Sequence, residues 1–553
     1  MVRRTPYVLV VFAAALVVTL SSSAARNESR SPSSHAVSPL PTKPMPASER
    51  ARISAVVREV LSGPGFEGEI PGLVIGIWSP TQGVYKASFG RSNLTSSARP
   101  KLDSRFRVGS VSKTFTATVI LQLVDEGRLS LTGRVRTYLP ALARRYPAIG
   151  TRTVAQLLGM RSGLPEYADA AVKQVTTDTD RVWTANRLIA LGMRSGPVKR
   201  AGGRNSVYTN TNYVILGQIA EAVTGKRFDR LVRERLIEPL GLRHTVYPAP
   251  TDASLPAPFT HGYVGPSGAE EITKLGGTTA AGADVTGWNP SWGNAAGMMI
   301  STIDDLARWS NTTLGNALLS PKLQKQRLAT VPMDFAFTYG LGILKLVGGR
   351  WIGHEGGIPG WTTWALRDAK TGTVVVTSVN ACCGGTPSGL TLDLLKRLYP
   401  ETVVIGAPLK GGETYVLSPT TSLTPPSGWT ISTGETIKNI SLKAVKPGVV
   451  FDVSDVLEIP EDQTFASRVT VLHDSEAGPG KALGALTPFT TTSGLQGFTY
   501  TTRSLAESTQ TWFVTNGKKI ARLDVQGSAA SVKAVTAEMT RMARSITMAP
   551  PGG

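Results

Sequence analysis

The stretch Phe106-Arg-Val-Gly-Ser-Val-Ser-Lys-Thr-Phe-Thr-Ala-Thr-Val-Ile-Leu-Gln-Leu-Val-Asp-Glu-Gly127 decides how the rest of the chain is read. From Val111 onward its apolar residues recur at helical spacing, and Gly127 is placed to end the helix. Ser110 then lies at the helix N-terminus, with Lys113 one turn later on the same face. A serine hydroxyl is a weak nucleophile and needs an adjacent base, a role open to a desolvated, neutral lysine amine. The helix N-terminus and nearby N–H groups stabilise the oxyanion that attack creates. A capping serine followed by a surface lysine has the same spacing, so Ser-x-x-Lys alone is a weak motif.

Two further stretches lie downstream. In Tyr208-Thr-Asn-Thr-Asn-Tyr-Val-Ile-Leu-Gly-Gln-Ile-Ala-Glu-Ala-Val-Thr-Gly225 a polar loop leads into a second helix closed by Gly225. Tyr208 and Asn210 alternate, so an extended loop turns both to one side. A phenol relays protons and a carboxamide binds an amide carbonyl; the competing reading has Asn212 capping the helix and Tyr208 packing as a half-buried aromatic. In Gly353-His-Glu-Gly-Gly-Ile-Pro-Gly-Trp361, between two strand patterns, the glycines let a sheet-edge backbone approach a ligand, and His354 is a hydrogen-bonding or acid/base group. A zinc-binding His-Glu-x-x-His is excluded because Ile358 stands where the second histidine belongs. No Gly-x-Ser-x-Gly nucleophile elbow occurs either.

Around these stretches the 553 residues are 41% hydrophobic and 18% charged, with mean hydropathy near zero. Such a chain folds in water with a sizeable core, which excludes disorder and a polytopic membrane protein. Two cysteines, the vicinal Cys382 and Cys383, are too few for a disulfide-built scaffold or a four-thiolate zinc site. A structural role or none is expected of them, and no metal or cofactor is expected in the chain. The net charge of +20 attracts polyanions. Arg3 and Arg4 precede an apolar run from Tyr7 to Leu20 and the small residues Ser21–Ala25, so residues 1–25 read as an export signal. That run is shorter than the roughly 17–25 residues that cross a bilayer, so no stable membrane span is expected after signal cleavage. An exported or wall-associated basic protein meets cell-wall polymers rather than nucleic acid.

Residues 26–48, rich in Ser and Pro, read as a linker. A helical pattern over Glu49–Leu61 and β-type runs at Leu73–Trp78 and Val84–Phe89 follow. Helical patterns then run to about residue 330, and strand patterns return at Tyr339–Val347, Trp361–Arg367 and Val374–Val379. The expectation is an α/β (α+β) sandwich with an all-α insertion over 49–402. A second linker is expected at 403–428 and a small accessory α+β domain at 429–548. The latter carries β-type runs at Val449–Val453, Ser467–Leu472 and Phe498–Arg503, a hairpin at Asn516-Gly517 and a final helix from Ala529 to Ile546. Thr302-x-x-Asp305 marks a helix start, and His244 and His261 are surface or loop residues rather than ligands.

Together the three stretches resemble the penicillin-recognising serine enzymes: class C β-lactamases, related esterases and above all the soluble serine D-alanyl-D-alanine carboxypeptidases. The resemblance covers about residues 50–400 and extends to Val154–Tyr167 (VAQLLGMRSGLPEY), Pro239–Thr245 (PLGLRHT), Ala295–Trp309 (AAGMMISTIDDLARW) and Tyr339–Gly342 (YGLG). It implies an α/β sandwich with an all-α subdomain and a site between them. It implies that Ser110 is acylated, that Lys113 assists its deprotonation, and that Tyr208 shuttles the proton. Asn210 would hold the substrate amide, and His354 would replace the lysine of Lys-Thr-Gly. The N–H groups of Ser110 and Gly357 would form the oxyanion hole, with Gly356 beside them and Trp292 lining the site. Where the carboxypeptidases have His-Thr-Gly-Thr this chain has Glu355 and Gly357, losing two hydroxyls that help bind a terminal carboxylate. Leu344 stands where some relatives place an arginine, which Lys345 or Arg350 would have to replace. The implied substrate is a small peptide or ester, with a peptidoglycan stem peptide first. An esterase, a D-amino-acid amidase or peptidase, and a penicillin or wall-fragment sensor with little turnover are the alternatives.

Overall fold

The run Gly72–Ser79 has no polar alternation and every residue in it is buried, which requires a strand covered on both faces. The computed structural model supplies that cover. It describes residues 39–402, except 64–65, 67, 203–205, 316–317, 334–336, 347–349, 383–384 and 400–401, and parts of 415–548. The expected export signal 1–25, and the linker as far as residue 38, lie outside the described residues.

In chain order the elements that build and flank the site are α1 (Ala47–Leu61), β1 (Gly72–Ser79), β2 (Gly83–Gly90), α2 (Ser112–Asp125), α3 (Thr211–Thr224) and α4 (Ile303–Leu314), then β3 (Val331–Pro332), β4 (Phe337–Tyr339), β5 (Leu344–Leu346), β6 (Trp351–Ile358), β7 (Trp361–Asp368), β8 (Val374–Val379) and α5 (Gly385–Leu398). The eight strands form one antiparallel sheet in the order β2-β1-β8-β7-β6-β5-β4-β3. β1 and β8 pair from Leu73↔Val379 to Trp78↔Val374 across some 300 residues of chain, so the helices between are an insertion, as the strand patterns predict. α4 packs on β1, β7 and β8, while α5 packs on β7 and against α1. Thr302 starts α4 by accepting from the Asp305 N–H. Asp305 itself turns away, to the N–H of His244 and the hydroxyl of Thr245.

α2 is buried on every side from Ser112 to Leu121, more fully than a one-faced helix would be. It is the axle between the sheet and the helical subdomain, and both belong to one hydrophobic core. Phe115 stacks on Trp309 of α4 with ring centroids 3.7 Å apart, and Trp309 Nε1–H donates to Thr114 Oγ1 at 2.8 Å.

Four expectations are corrected. The linker 26–48 does not extend to residue 48. Lys43–Met45 lies along β2, with Met45 N–H donating to Val84 O at 2.9 Å and Val84 N–H to Lys43 O at 2.8 Å; Met45 is buried and α1 begins at Ala47. Closely spaced prolines favour extended backbone, which suits a segment at a sheet edge. The run Tyr339–Val347 is not one strand, because the backbone turns at Gly340–Ile343 with Gly342 at φ +74°. The linker 403–428 contains strands Tyr415–Ser418 and Thr421–Leu423, and the second of these pairs with Thr547–Met548. Ser467–Leu472, expected as β, lies in a helix over Phe465–Asp474. Thr464 accepts from the Ser467 N–H at that helix start, and Phe465 and Val469, one turn apart, pack against Tyr500 and Phe513. Local capping and this apolar pair outweigh the β-branched run.

The other accessory elements follow the sequence. Ser508–Thr515 and Lys519–Gly527 pair as a hairpin around Asn516, and the last helix spans Ala529–Arg544. Cys382 is buried and disulfide-bonded; the other cysteine, Cys383, lies outside the described residues. Among the described residues no helix is long and apolar enough to cross a membrane. Replacing Trp309 with alanine removes the stacked partner of Phe115 and the bond to Thr114. It is expected to cost about 3–5 kcal/mol, read as a lower denaturant midpoint of unfolding.

Candidate active site

Val108-Gly-Ser-Val111 enters α2 through a single 3-10 turn over Gly109–Val111. Gly109 has φ +51°, and a Cβ there would lie 2.8 Å from backbone atoms of Gly356 and Gly357. A Cβ on Gly356 would lie 2.0 Å from Val108 O and 2.8 Å from Ser110 N. The two glycines therefore let the turn carrying Ser110 press backbone to backbone on β6. This brings Gly357 beside Ser110, as an oxyanion hole formed by their N–H groups requires.

Lys113 is fully buried on the first turn of α2. Its Nζ lies 2.8 Å from Ser110 Oγ, 2.6 Å from Asn210 Oδ1 and 2.9 Å from Ala296 O. Asn210 Oδ1 and Ala296 O can only accept, so these two contacts take two N–H bonds of the amine. A neutral amine has a lone pair left for the third direction, and that direction is Ser110 Oγ. Burial pushes the Lys113 amine down to about 7, against the opposing field of Glu166.

Tyr208 is partly buried, its hydroxyl bonded to Ser110 and its ring centroid 4.8 Å from Lys113 Nζ. Burial holds the phenol well above its usual range, against the Ser110 bond, so near neutral pH Tyr208 carries its proton. Lys113, rather than a phenolate, is the group poised to receive the Ser110 proton.

His354 is buried on the Ser110 side of β6, and both ring nitrogens are engaged. Nε2 is 2.9 Å from Tyr339 Oη and Nδ1 is 2.5 Å from Glu355 O. A carbonyl oxygen only accepts, so Nδ1 carries the hydrogen and Tyr339 O–H donates to Nε2. Burial, aided by the charge of Lys113, pushes the imidazole down to about 3, so it is neutral at ordinary pH. The acid/base form of the expectation is corrected accordingly: in this arrangement His354 is a fixed hydrogen-bonding wall.

Glu355, expected against substrate, points the other way. Its Oε1 accepts from Ser388 Oγ of α5 at 2.7 Å, and its cross-strand neighbour Trp364 donates to Ser388 O. Neighbouring residues of a strand face opposite sides, so the strand that presents His354 to Ser110 turns Glu355 to α5. The expected charge beside a substrate carboxylate is therefore not placed there. Nor does Arg350 stand in for the absent arginine, since it pairs with Asp368 at 2.9 Å. Trp292 is half-buried, and its carbonyl accepts from Tyr167 Oη at 2.7 Å in the segment that leads to Ala296.

Glu166, within the stretch Val154–Tyr167, has no role in the sequence reading, and the structure brings it to this cluster. Oε1 accepts from Ala168 N–H at 2.7 Å and Oε2 from Asn210 N–H at 2.5 Å. Asn210 lies 44 positions later, so spacing gives no sign of the contact. His244 and His261 lie outside the cluster; His261 Nδ1 pairs with Asp284 at 2.7 Å. Among the described residues no cluster of His, Cys, Asp and Glu is arranged to hold a metal.

The sandwich, its helical insertion and the Ser–Lys–Tyr–Asn constellation around the buried Lys113 define a class, the penicillin-recognising serine hydrolases. A family model described as Beta-lactamase matches residues 53–382, more than half of the chain, and the chain belongs to that family. Penicillin-binding protein 4 of Amycolatopsis lactamdurans is 27% identical over 322 residues, which cover 55% of this chain and 79% of that protein. Protein flp of Staphylococcus aureus strain N315 is 24% identical over 324 residues, 57% of this chain and 61% of that protein. Among solved structures, a D-stereospecific amidohydrolase from Streptomyces sp. has a TM-score of 0.54 and 30% identity, over 63% of this chain and 99% of that one. The D-amino acid amidase of Ochrobactrum anthropi SV3, complexed with D-phenylalanine, has a TM-score of 0.54 and 26% identity over the same shares. The chain is accordingly a serine hydrolase.

The charge states set the pH dependence. Raising the pH through about 7 converts Lys113 to the free amine, while His354 and Tyr208 stay neutral. The acid limb of kcat/KM is expected near pH 7 in the wild type and is expected to remain there in His354→Gln, whatever the loss in rate. A pH-rate profile of both proteins checks this. Gly356→Ala is expected to abolish turnover by forcing Val108 and Ser110 off β6, read as loss of activity in a protein with native circular dichroism.

Proposed function

We propose that the chain is a serine amidohydrolase that cleaves the bond after a D-amino-acyl group through an acyl-Ser110 intermediate. The observation that carries the reading is the Lys113 amine, whose two fixed acceptors leave its lone pair on Ser110 Oγ. In acylation the Ser110 O–H proton passes to Lys113 Nζ as Oγ bonds to the substrate carbonyl carbon. The resulting oxyanion accepts from the N–H groups of Ser110 and Gly357. The C–N bond then breaks as the amine takes a proton from Tyr208 O–H, and Lys113 restores the Tyr208 proton. Water repeats the sequence on the ester, its proton going to Lys113 and its oxygen to the acyl carbon, and Ser110 leaves with a proton.

The choice of a D-amino-acyl substrate is supported by the amidohydrolase and amidase neighbours and by what the third stretch lacks. Glu355 is tied to Ser388, Arg350 to Asp368, and Gly357 has no hydroxyl, so these positions supply no grip on a terminal carboxylate. A D-alanyl-D-alanine carboxypeptidase is the second reading, favoured by the likeness to Penicillin-binding protein 4. We further propose export, on the charged and apolar pattern of residues 1–25 alone. Secreted protein whose N-terminal sequence starts after Ala25 is the expected result.

The deciding experiment compares D-phenylalanine amide with a peptide ending in D-Ala-D-Ala. Faster release of ammonia than of D-alanine is expected, and the reverse order selects the carboxypeptidase. Ser110→Ala is expected to lower turnover by about 10³-fold or more, and intact mass is expected to show an acyl adduct on wild type only. Retained turnover in Ser110→Ala overturns both readings.

A further inference from the structure

Glu166 is a carboxylate in the site wall that the reaction scheme does not use. It reaches Lys113 by two routes. Oε2 accepts from the Asn210 N–H, and the Asn210 side chain adds a second bond to the same carboxylate. The side-chain donor can only be the Nδ2 amide, which turns Oδ1 of Asn210 toward Lys113 Nζ, 2.6 Å away. Ala168 N–H holds the other oxygen, so the carboxylate is anchored before it orients anything.

The second route is electrostatic. The side chains facing the Lys113 amine are Ser110, Tyr208 at 4.8 Å and Tyr213 at 5.6 Å to the ring centroids, Asn210, and His354 on β6, beside the carbonyl of Ala296. Burial keeps both phenols protonated and the imidazole uncharged near neutral pH. Burial raises the Glu166 carboxyl too, opposed by the N–H groups of Ala168 and Asn210, by the Asn210 side chain and by the charge of Lys113. Glu166 is the acidic group whose field reaches the amine among the described residues.

We propose that Glu166 is a positioning residue for the reaction: it fixes the amide of Asn210 with Oδ1 on Lys113 Nζ and through that contact governs how Lys113 takes the Ser110 proton. It does so from outside the reacting atoms. The inference rests on Lys113 being the base for Ser110 and not on the D-amino-acyl substrate. A carboxylate beside the amine favours the ammonium form, so removing its charge makes Lys113 lose its proton at lower pH.

The test uses a fluorophosphonate, which phosphonylates the nucleophilic serine directly, and reads the rate of Ser110 labelling against pH in the full chain. The wild type is expected to show an acid limb near pH 7. Glu166→Gln is expected to move that limb down by about one pH unit and to lower the plateau rate about tenfold. Glu166→Asp keeps the charge but withdraws the anchor, so the plateau is expected to fall with the limb left near its wild-type position. Glu166→Ala removes the charge by another route and replaces Glu166→Gln if that variant fails to fold by circular dichroism. A limb that stays in place in the neutral variant, or that moves as far in Glu166→Asp, overturns the inference. A wild type without any limb overturns the Lys113 base reading itself, and with it the inference.

Discussion

A lysine side chain taken wholly out of water is the constraint on which the rest of this structure depends. Desolvating an ammonium is costly unless oxygen acceptors surround it, and an amine that has given up its proton still needs partners for its two N–H bonds. Here the partners come from three separate parts of the chain: Ser110 before α2, Asn210 before α3 and Ala296 in the segment between the helical subdomain and α4. A site of this kind cannot be built on one loop. It needs the antiparallel sheet to set the turn of Ser110 against β6, and it needs the helical insertion to bring Asn210 back over the same helix. The unbroken burial of α2 from Ser112 to Leu121 follows, because the part of the helix that carries the amine must be covered on all sides for the amine to stay dry.

How much of this was legible follows from the range of the interactions. The α2 stretch, the β1–β2 hairpin and β8 are visible because the apolar pattern that makes them is local, and β8 was bounded correctly at Val374–Val379. The region of the site was legible too, through three short stretches whose residue types suit acyl transfer. What each side chain does there was less so. Whether His354 presents a free nitrogen depends on Tyr339, on another strand, and whether Glu355 faces the nucleophile depends on Ser388, on a helix behind the sheet. Glu166 escaped notice because it acts through the backbone of a residue far along the chain. The run Ser467–Leu472 failed for the opposite reason: its β-branched residues speak for a strand, and a cap and a packed pair one turn apart decide for a helix.

The third stretch also shows how a strand divides labour. His354 and Gly356 look toward Ser110, the one as a wall and the other as an absence of side chain, while Glu355 looks toward α5. Position in a motif is therefore not enough to assign a residue to a ligand; the pleat decides which side it serves. In this chain one departure from the carboxypeptidase pattern, Glu355, faces the far side, while His354 and Gly356 stay with the nucleophile.

The segment Lys43–Met45 on β2 carries a consequence of a different kind. A strand at the margin of a sheet is a template on which a second molecule can grow, and unprotected margins are where folded proteins begin to stick to one another. Here the chain occupies that template with its own residues Lys43–Met45, and the exposed Pro44 has no N–H to offer a further strand. The opposite margin is only the two-residue strand β3, which ends in Pro332. Both margins of the eight-stranded sheet thus offer a second copy little free backbone on which to extend it.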